Sequence, residues 1–361
     1  MRIVLAISSL GSGGAERVIA VLAGALAARS HQVWLVTLSG TEQDFYPVDS
    51  RVRRIGLHLM GDSPNVLHAL RANARRIRAL RRVVSDVAPH AVVSFMTSMN
   101  VLAILACRRL AVRIIISERV DPGAHREPKV WTALRSLLYH RADAIVVQTE
   151  SIAAWFRQRL RGAQVVVIPN PVAPVAVGAT PRQESDPFIL AAGRLAHQKG
   201  FDLLIRAFAA AAAPCRKLRL VIAGEGPERQ PLHDLAVELG LDLQVSFPGQ
   251  VRELSAMMRA AVAFILPSRY EGFPNVLLEA LAAGVPCVAA DGPGATREIL
   301  ADGAYGLLVP PEDVRALAQA IERITTDGEL RKRYALAAPA AVERYRLERV
   351  VGEWERLLSG A

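Results

Sequence analysis

Short runs of apolar residues alternate along this chain with longer stretches in which apolar positions recur every three or four residues. Apolar runs between breakers read as strands buried on both faces, and the 3.6-residue period reads as helices lying against them. The alternation predicts an α/β chain of parallel sheets with helical crossovers. In the first half the strands are expected at 2–7, 33–38, 91–95, 112–116, 144–147 and 164–168. Pro169-Asn170-Pro171 closes the last of them, and 173–187, with Pro174, Gly178, Pro181 and Pro187, reads as an interdomain linker. The pattern then restarts, with strands expected at 188–192, 218–223, 244–247, 262–266 and 286–289. Two doubly wound, Rossmann-like domains follow, over 1–175 and 176–340. The remainder, 341–361, carries an amphipathic helical stretch with apolar residues at 347, 350, 351, 354, 357 and 358 that could pack back on either domain, the first included.

Length and composition agree with that division. The 361 residues exceed what one core organises, and 52% apolar against 22% charged residues excludes disorder. The longest uncharged stretch, Ala91 to Cys107, contains Ser94, Thr97, Ser98 and Asn100 and falls short of the roughly 20 apolar residues that span a bilayer. Arg2, an apolar run and Ala25-Leu26-Ala27 imitate a signal peptide, but Glu16 and Arg17 interrupt any apolar core of one. Cys107, Cys215 and Cys287 are far apart with no metal-ligand spacing, so a reduced, cytoplasmic chain is expected. Charge is uneven: residues 1–175 hold 23 Lys and Arg against 11 Asp and Glu, whereas 176–361 hold 21 against 23. The basic first half suits an anionic partner: nucleic acid, a membrane surface or a phosphorylated acceptor.

The glycine-rich loop after the first strand invites a dinucleotide reading that two checks defeat. Gly11 and Gly13 match the first two fingerprint glycines, but Glu16 holds the third place. The strand at 33–38 also runs into Ser39-Gly40-Thr41 without the acid that grips a ribose. A sharper signal is "LPSRYEGFPNVLLEALAAGVPCV", 266–288. Pro274 suits the first position of a helix, which would leave the amides of Asn275, Val276 and Leu277 pointing out as an anion site. Glu271 before that helix and Glu279 inside it read either as acceptors for sugar and ribose hydroxyls or as solvated charges. Upstream, Arg194 and Lys199 after one strand fit a diphosphate, or stand as two loop cations in solvent.

Gly13-Gly14-Ala15-Glu16-Arg17, Gly193-Arg194-Leu195 with Gln198-Lys199-Gly200, Gly224-Glu225-Gly226-Pro227, and Glu271-Gly272-Phe273 continuing to Glu279 follow one another in a characteristic order and spacing. In these motifs the chain resembles glycosyltransferase family 4 over nearly its whole length. The resemblance implies the GT-B fold, two Rossmann-like domains facing each other across a cleft, and retaining transfer. It implies that Arg194 and Lys199 neutralise the departing nucleotide diphosphate. Glu271, with the Gly272 and Phe273 amides, would hold hydroxyls of the transferred sugar, and Glu279 the ribose. The backbone of Val251 would meet the base, and the Gly13 and Gly14 amides the diphosphate from the opposite domain. No metal or other cofactor is implied, because no Asp-x-Asp pair is present.

One departure concerns the loop after the strand at 112–116, where many members carry a histidine. Here stands Ser117-Glu118-Arg119-Val120-Asp121-Pro122. Glu118 is the candidate for that role, with His125 in reserve; a salt bridge between Glu118 and Arg119 that orders the loop is the other reading. On the acceptor side, 66–87 has apolar residues at 67, 70, 74, 77, 80 and 84 and a second stripe of Arg71, Arg75, Arg78 and Arg82, with Arg76 and Arg81 beside it. No acid lies between Asp62 and Asp86 to neutralise the stripe, which suits an anionic membrane surface or a lipid pyrophosphate, Arg119 adding to that face. Nucleic acid is not expected, since no aromatic interleaving accompanies the charge. The resemblance points to a UDP-linked hexose or N-acetylhexosamine as donor, GDP-mannose remaining open, and to a polyprenyl-pyrophosphate-linked acceptor at the cytoplasmic membrane. A nucleotide-sugar epimerase of the same architecture and a basic, non-catalytic binding protein are the alternatives.

Overall fold

The structure, a computed structural model, describes residues 1–61, 65–120, 122–123, 128–172, 186–211, 217–251 and 253–360. It consists of two compact units: Met1–Pro171 with Leu347–Ala361, and Val172–Arg346. The expected boundaries near 175 and 340 shift accordingly. Residues 341–346 stay with the second unit because Ala341, Val342 and Tyr345 are buried in its core. The expected linker lies almost wholly outside the described residues.

In the first unit the strands are β1 Arg2–Ile7, β2 Gln32–Thr37, β3 Arg53–Gly56, β4 Ala91–Phe95, β5 Arg113–Ser117, β6 Ala144–Val147 and β7 Val165–Val167. They form one parallel sheet in the order β3-β2-β1-β4-β5-β6-β7. Alternate side chains of β1 feed two cores, Ile3, Leu5 and Ile7 into one and Val4 and Ala6 into the other, as the two-residue strand period requires. The helices are α1 Gly14–Ala28, α2 Val66–Val87, α3 Thr97–Cys107, α4 Lys129–Leu138 and α5 Glu150–Arg159. Helix α1 supplies the first core with Val18, Ile19 and Leu22, and α3 the second with Met99, Leu102 and Ile104.

The second unit repeats the scheme with β8 Phe188–Ala192, β9 Arg219–Ala223, β10 Val245–Gly249, β11 Ala263–Leu266, β12 Cys287–Ala290 and β13 Leu307–Val309. Their order is β10-β9-β8-β11-β12-β13, again parallel. Its helices are α6 Phe201–Ala211, α7 Arg229–Glu238, α8 Leu254–Ala260, α9 Asn275–Ala282, α10 Thr296–Ile299, α11 Val314–Thr326 and α12 Gly328–Val342. The closing helix, α13 Leu347–Ser359, belongs to the first unit, where Val350, Val351, Trp354, Leu357 and Leu358 enter the core. Trp354 stacks on Phe95 with ring centroids 6.2 Å apart, and Glu355 pairs with His31 at 2.9 Å. In each sheet the order reverses once, between β1 and β4 and between β8 and β11. Ligands of open α/β sheets sit outside the carboxyl ends of such strand pairs.

Candidate active site

In the second unit the loops at that reversal are fastened backbone to backbone. After β8, the Gly193 amide donates to Ala223 O at 3.0 Å and the Leu195 amide to Glu225 O at 2.9 Å, while the Gly224 amide reaches Gly249 O at 2.8 Å. A Cβ on Gly224 would lie 1.9 Å from Gly193 O at a φ of +145°, so no other residue fits this contact. The loop after β11 is held in the same way: the Arg269 amide donates to Gln198 O and the Glu271 amide to Pro293 O, each at 2.9 Å. A Cβ on Gly294 would come within 1.6 Å of Glu271 O. Among the motif glycines, Gly200, Gly224 and Gly226 are thus places where neighbouring loops touch, against Pro267 O, Gly193 O and Leu195 O.

This lacing brings two of the expected site residues together. Lys199 Nζ donates to Glu271 Oε1 at 2.6 Å, and Ser268 Oγ donates to the same oxygen at 2.7 Å. Glu271 is 6% exposed, so the pair forms in a poorly solvated place. Lys199 comes from the loop after β8 and Glu271 from the loop after β11, on the two lips of the crevice. Arg194 is exposed on the first lip, one residue past Gly193, and makes no ion pair among the described residues. Gly272 is half-buried, and Phe273 is buried against the core edge-on to Tyr345, with centroids 5.8 Å apart. Val251 is half-buried two residues past β10 and packs on the same core.

The N-terminus of α9 differs from the expectation. Pro274 is the residue before the helix rather than its first, and the turn is tightened by bonds from the Asn275 amide to Phe273 O and from the Leu277 amide to Pro274 O, each 3.0 Å. Of the three amides expected to point outward, those of Asn275 and Leu277 therefore already have acceptors; Val276 stands between them. Glu279 is half-buried on this helix. Sequence reasoning missed Arg269, which grips Asp202 through two bonds of 2.8 and 2.7 Å and donates to His197 O at 2.7 Å. Burial works to raise the Asp202 carboxyl, but the Arg269 bonds and charge outweigh it and hold it low. Arg269 thereby clamps the Glu271 loop to α6. Nothing in the sequence separates this arginine from a surface charge.

In the first unit three of the expected site residues have surroundings that the sequence did not show. Gly13 precedes α1, and the Glu16 carboxylate folds back over it: a Cβ on Gly13 would sit 2.2 Å from Glu16 Oε2. Burial raises the Glu16 carboxyl above its ordinary range, opposed by a bond from its own amide. The Glu16 carboxylate thus lies over Gly13, while Gly14 is exposed. Glu118, expected to touch a sugar, is 0% exposed; its oxygens accept from Thr97 Oγ1 at 3.0 and 3.1 Å and from Tyr139 at 2.8 Å. It is held inside the unit, where its charge acts on the neighbouring Arg119 and opposes the effect of burial there. Arg119, expected on the acceptor face, is itself buried. Its guanidinium lies 3.9 Å from the Phe95 ring centroid, hydrogen-bonds Asn170, and is pushed down to about 9 by burial. His125 lies outside the described residues.

On α2 the four arginines of the stripe, Arg71, Arg75, Arg78 and Arg82, are exposed. Arg76 and Arg81 are not part of that surface. Arg76 donates to Leu59 O and Gly61 O, and Arg81 to Ala106 O and Arg108 O, at 2.8 to 3.0 Å. The apolar stripe is buried only at its far end, Leu80 and Val84. Val66, Leu67 and Leu70 are 77%, 55% and 63% exposed, so the first turns of α2 present apolar residues to solvent beside the arginines. Cys107 and Cys287 are buried free thiols, and burial pushes Cys107 up to about 12, so neither is a nucleophile at neutral pH.

Comparison with known proteins fits this architecture. Residues 13–171 match the family model described as a glycosyl transferase 4-like domain, and residues 177–340 match glycosyl transferases group 1. Over 360 residues the chain is 28% identical to a Campylobacter jejuni protein named GalNAc-alpha-(1->4)-GalNAc-alpha-(1->3)-diNAcBac-PP-undecaprenol alpha-1,4-N-acetyl-D-galactosaminyltransferase, covering 99% of this chain and 98% of that one. Sucrose-phosphate synthase from Thermosynechococcus elongatus superposes with a TM-score of 0.84 at 21% identity, covering 100% of this chain and 99% of that one. Anabaena Alr3699/HepE, solved in complex with UDP, superposes with a TM-score of 0.80 at 21% identity over the full length of both chains. With two parallel-sheet domains, a 4-like domain followed by a group 1 domain, and a relative matched end to end, the chain belongs to the GT-B glycosyltransferases of family 4 type.

Proposed function

We propose that this glycosyltransferase moves a hexose or N-acetylhexosamine from a UDP-sugar to a polyprenyl-pyrophosphate-linked glycan, with retention of anomeric configuration and without a metal ion. The observation that carries the reading is the Lys199–Glu271 pair across the reversal point of the second sheet, with Arg194 exposed beside it. Lys199 and Arg194 supply positive charge where a diphosphate leaves, the electrostatic role a divalent ion plays elsewhere. Glu271, oriented by Lys199 and Ser268, accepts from hydroxyls of the transferred sugar, and Glu279 from the ribose. The bond from the anomeric carbon to the phosphate oxygen breaks while the acceptor oxygen bonds to that carbon on the same face. The acceptor's proton passes to the departing phosphate oxygen. This step asks for no strong protein base, in keeping with a Glu118 that is enclosed.

The lipid-linked acceptor is supported by the name of the Campylobacter relative, and the UDP donor by the HepE complex. Among the described residues no helix is long and apolar enough to cross a membrane, and α2 offers exposed arginines beside exposed apolar residues as a peripheral contact with an anionic cytoplasmic face. The test incubates the protein with a panel of UDP- and GDP-sugars, with and without an undecaprenyl-pyrophosphate-linked N-acetylhexosamine. Transfer giving an anomer of the donor's configuration, unaffected by EDTA, is the expected result. An inverted product or an activity abolished by EDTA and restored by manganese refutes the corresponding part; an epimerised donor or no turnover refutes the transferase reading.

A further inference from the structure

The reversal point of the first sheet is flanked by the loop after β1 and the turn that joins β4 to α3. In that turn Met96 has φ +76° and ψ +144°, a conformation an unbranched L-residue adopts only when its surroundings impose it. The imposing contacts are all present. The Met96 amide donates to Ser117 O at 3.1 Å, and Met96 O accepts from the Asn100 amide at 2.9 Å. Asn100 Nδ2 donates to Ser117 O and to the Tyr139 hydroxyl, each at 3.1 Å, and Ser94 Oγ donates to Asn100 Oδ1 at 2.8 Å. Tyr139 and Thr97 both donate to Glu118. Five buried polar side chains thus surround one strained turn, whose half-exposed members, Met96 and Ser98, are the ones that reach solvent. The strained turn stands at the carboxyl end of β4, beside the reversal point where open α/β sheets hold their ligands.

Resting on the reading that the first unit takes the acceptor, we infer that Glu118 is a positioning residue for it: the carboxylate fixes Thr97, and through Thr97 the Met96–Ser98 turn that walls the acceptor's crevice. Glu118, the first residue after β5, thus acts on the turn after β4 from inside the unit. Burial and the Glu118 charge both keep Tyr139 protonated, so it remains a donor to the carboxylate at any working pH.

The experiment measures KM for an undecaprenyl-pyrophosphate-linked N-acetylhexosamine, KM for the donor, and donor hydrolysis without acceptor, in Glu118→Gln, Thr97→Val and Thr97→Ser. Glu118→Gln and Thr97→Val should raise the acceptor KM by about tenfold, the loss of one charge-assisted hydrogen bond, with donor KM and hydrolysis within about twofold of the parent. Thr97→Ser, which keeps the hydroxyl, should behave as the parent. If Glu118→Gln does not fold, the two Thr97 variants decide alone. An unchanged acceptor KM, a donor KM that rises equally, or a Thr97→Ser as impaired as Thr97→Val overturns the inference. A parent that hydrolyses donor but does not use this acceptor overturns the acceptor reading and the inference with it.

Discussion

Replacing Lys199 by alanine separates the two things its ammonium does. At 2.6 Å from Glu271 Oε1, with side-chain exposures of 19% and 7%, the pair is well desolvated. Removing one partner of such a pair strands a carboxylate that retains Ser268 but loses its counter-charge. For fully buried pairs that costs about 3–5 kcal/mol. The exposed fifth of Lys199 lets water answer part of the charge, which brings the expected cost to about 2–3 kcal/mol. For a unit of this size that lowers the melting temperature by roughly 5–10 °C. Catalysis should lose about two to three powers of ten in kcat, the effect of deleting a group that stabilises charge only in the transition state, about 2.7–4 kcal/mol. Adding Glu271→Gln removes the stranded charge, so the double variant should regain most of the melting temperature but none of the rate. Calorimetry and donor-saturated turnover measure the two quantities. A Lys199→Ala variant with parental kcat, or a double variant in which rate recovers along with stability, refutes the leaving-group role and leaves Lys199 a structural partner of Glu271.

Three further outcomes are expected. Glu279→Ala should raise donor KM more than it lowers kcat, and an effect on kcat alone, in steady-state kinetics, would contradict the ribose role. Glu16, whose folded-state carboxyl lies above its ordinary value of 4.5, binds more protons folded than unfolded, so its contribution to stability is lost as pH rises from 4.5 through the raised value. Glu16→Gln should accordingly gain stability on the parent between about pH 4 and pH 7 in thermal melts, and a pH-independent difference would show that the carboxyl is not buried over Gly13. Changing Arg71, Arg75, Arg78 and Arg82 together to Gln keeps helix propensity, so nucleotide affinity should be unchanged while binding to anionic vesicles falls and loses salt dependence. Parental vesicle binding in that variant would make the stripe a solvated face.

The elements and the motifs were legible in the sequence because strands buried on both faces and helices at a 3.6-residue period leave unambiguous patterns. Expected strands at 2–7, 91–95, 144–147 and 188–192 coincide with β1, β4, β6 and β8. The two strands missed, β3 and β13, are short edge strands: Arg53-Arg54-Ile55-Gly56 carries charge, and Leu307–Val309 spans three residues. An edge strand is recruited by its neighbour's free backbone groups rather than by its own side chains, so no periodicity announces it. The sequence also placed Arg194, Lys199, Glu271 and Glu279 in a common motif order, but not the bond between Lys199 and Glu271, which are 72 residues apart. That contact exists only because the sheet order puts β8 beside β11. The same holds for burial. Glu118, Arg119 and Glu16 are charged residues in loops or at a helix start, positions where charge is ordinarily solvated. Only the packing of α3, Tyr139, Trp354 and the Gly13 turn around them buried a candidate sugar ligand and a candidate acceptor contact and half-buried a misfit fingerprint residue. Along α2 the converse occurred. An apolar period marks a face but not its partner, and α2 meets the core only at Leu80 and Val84, so Val66, Leu67 and Leu70 were left in solvent.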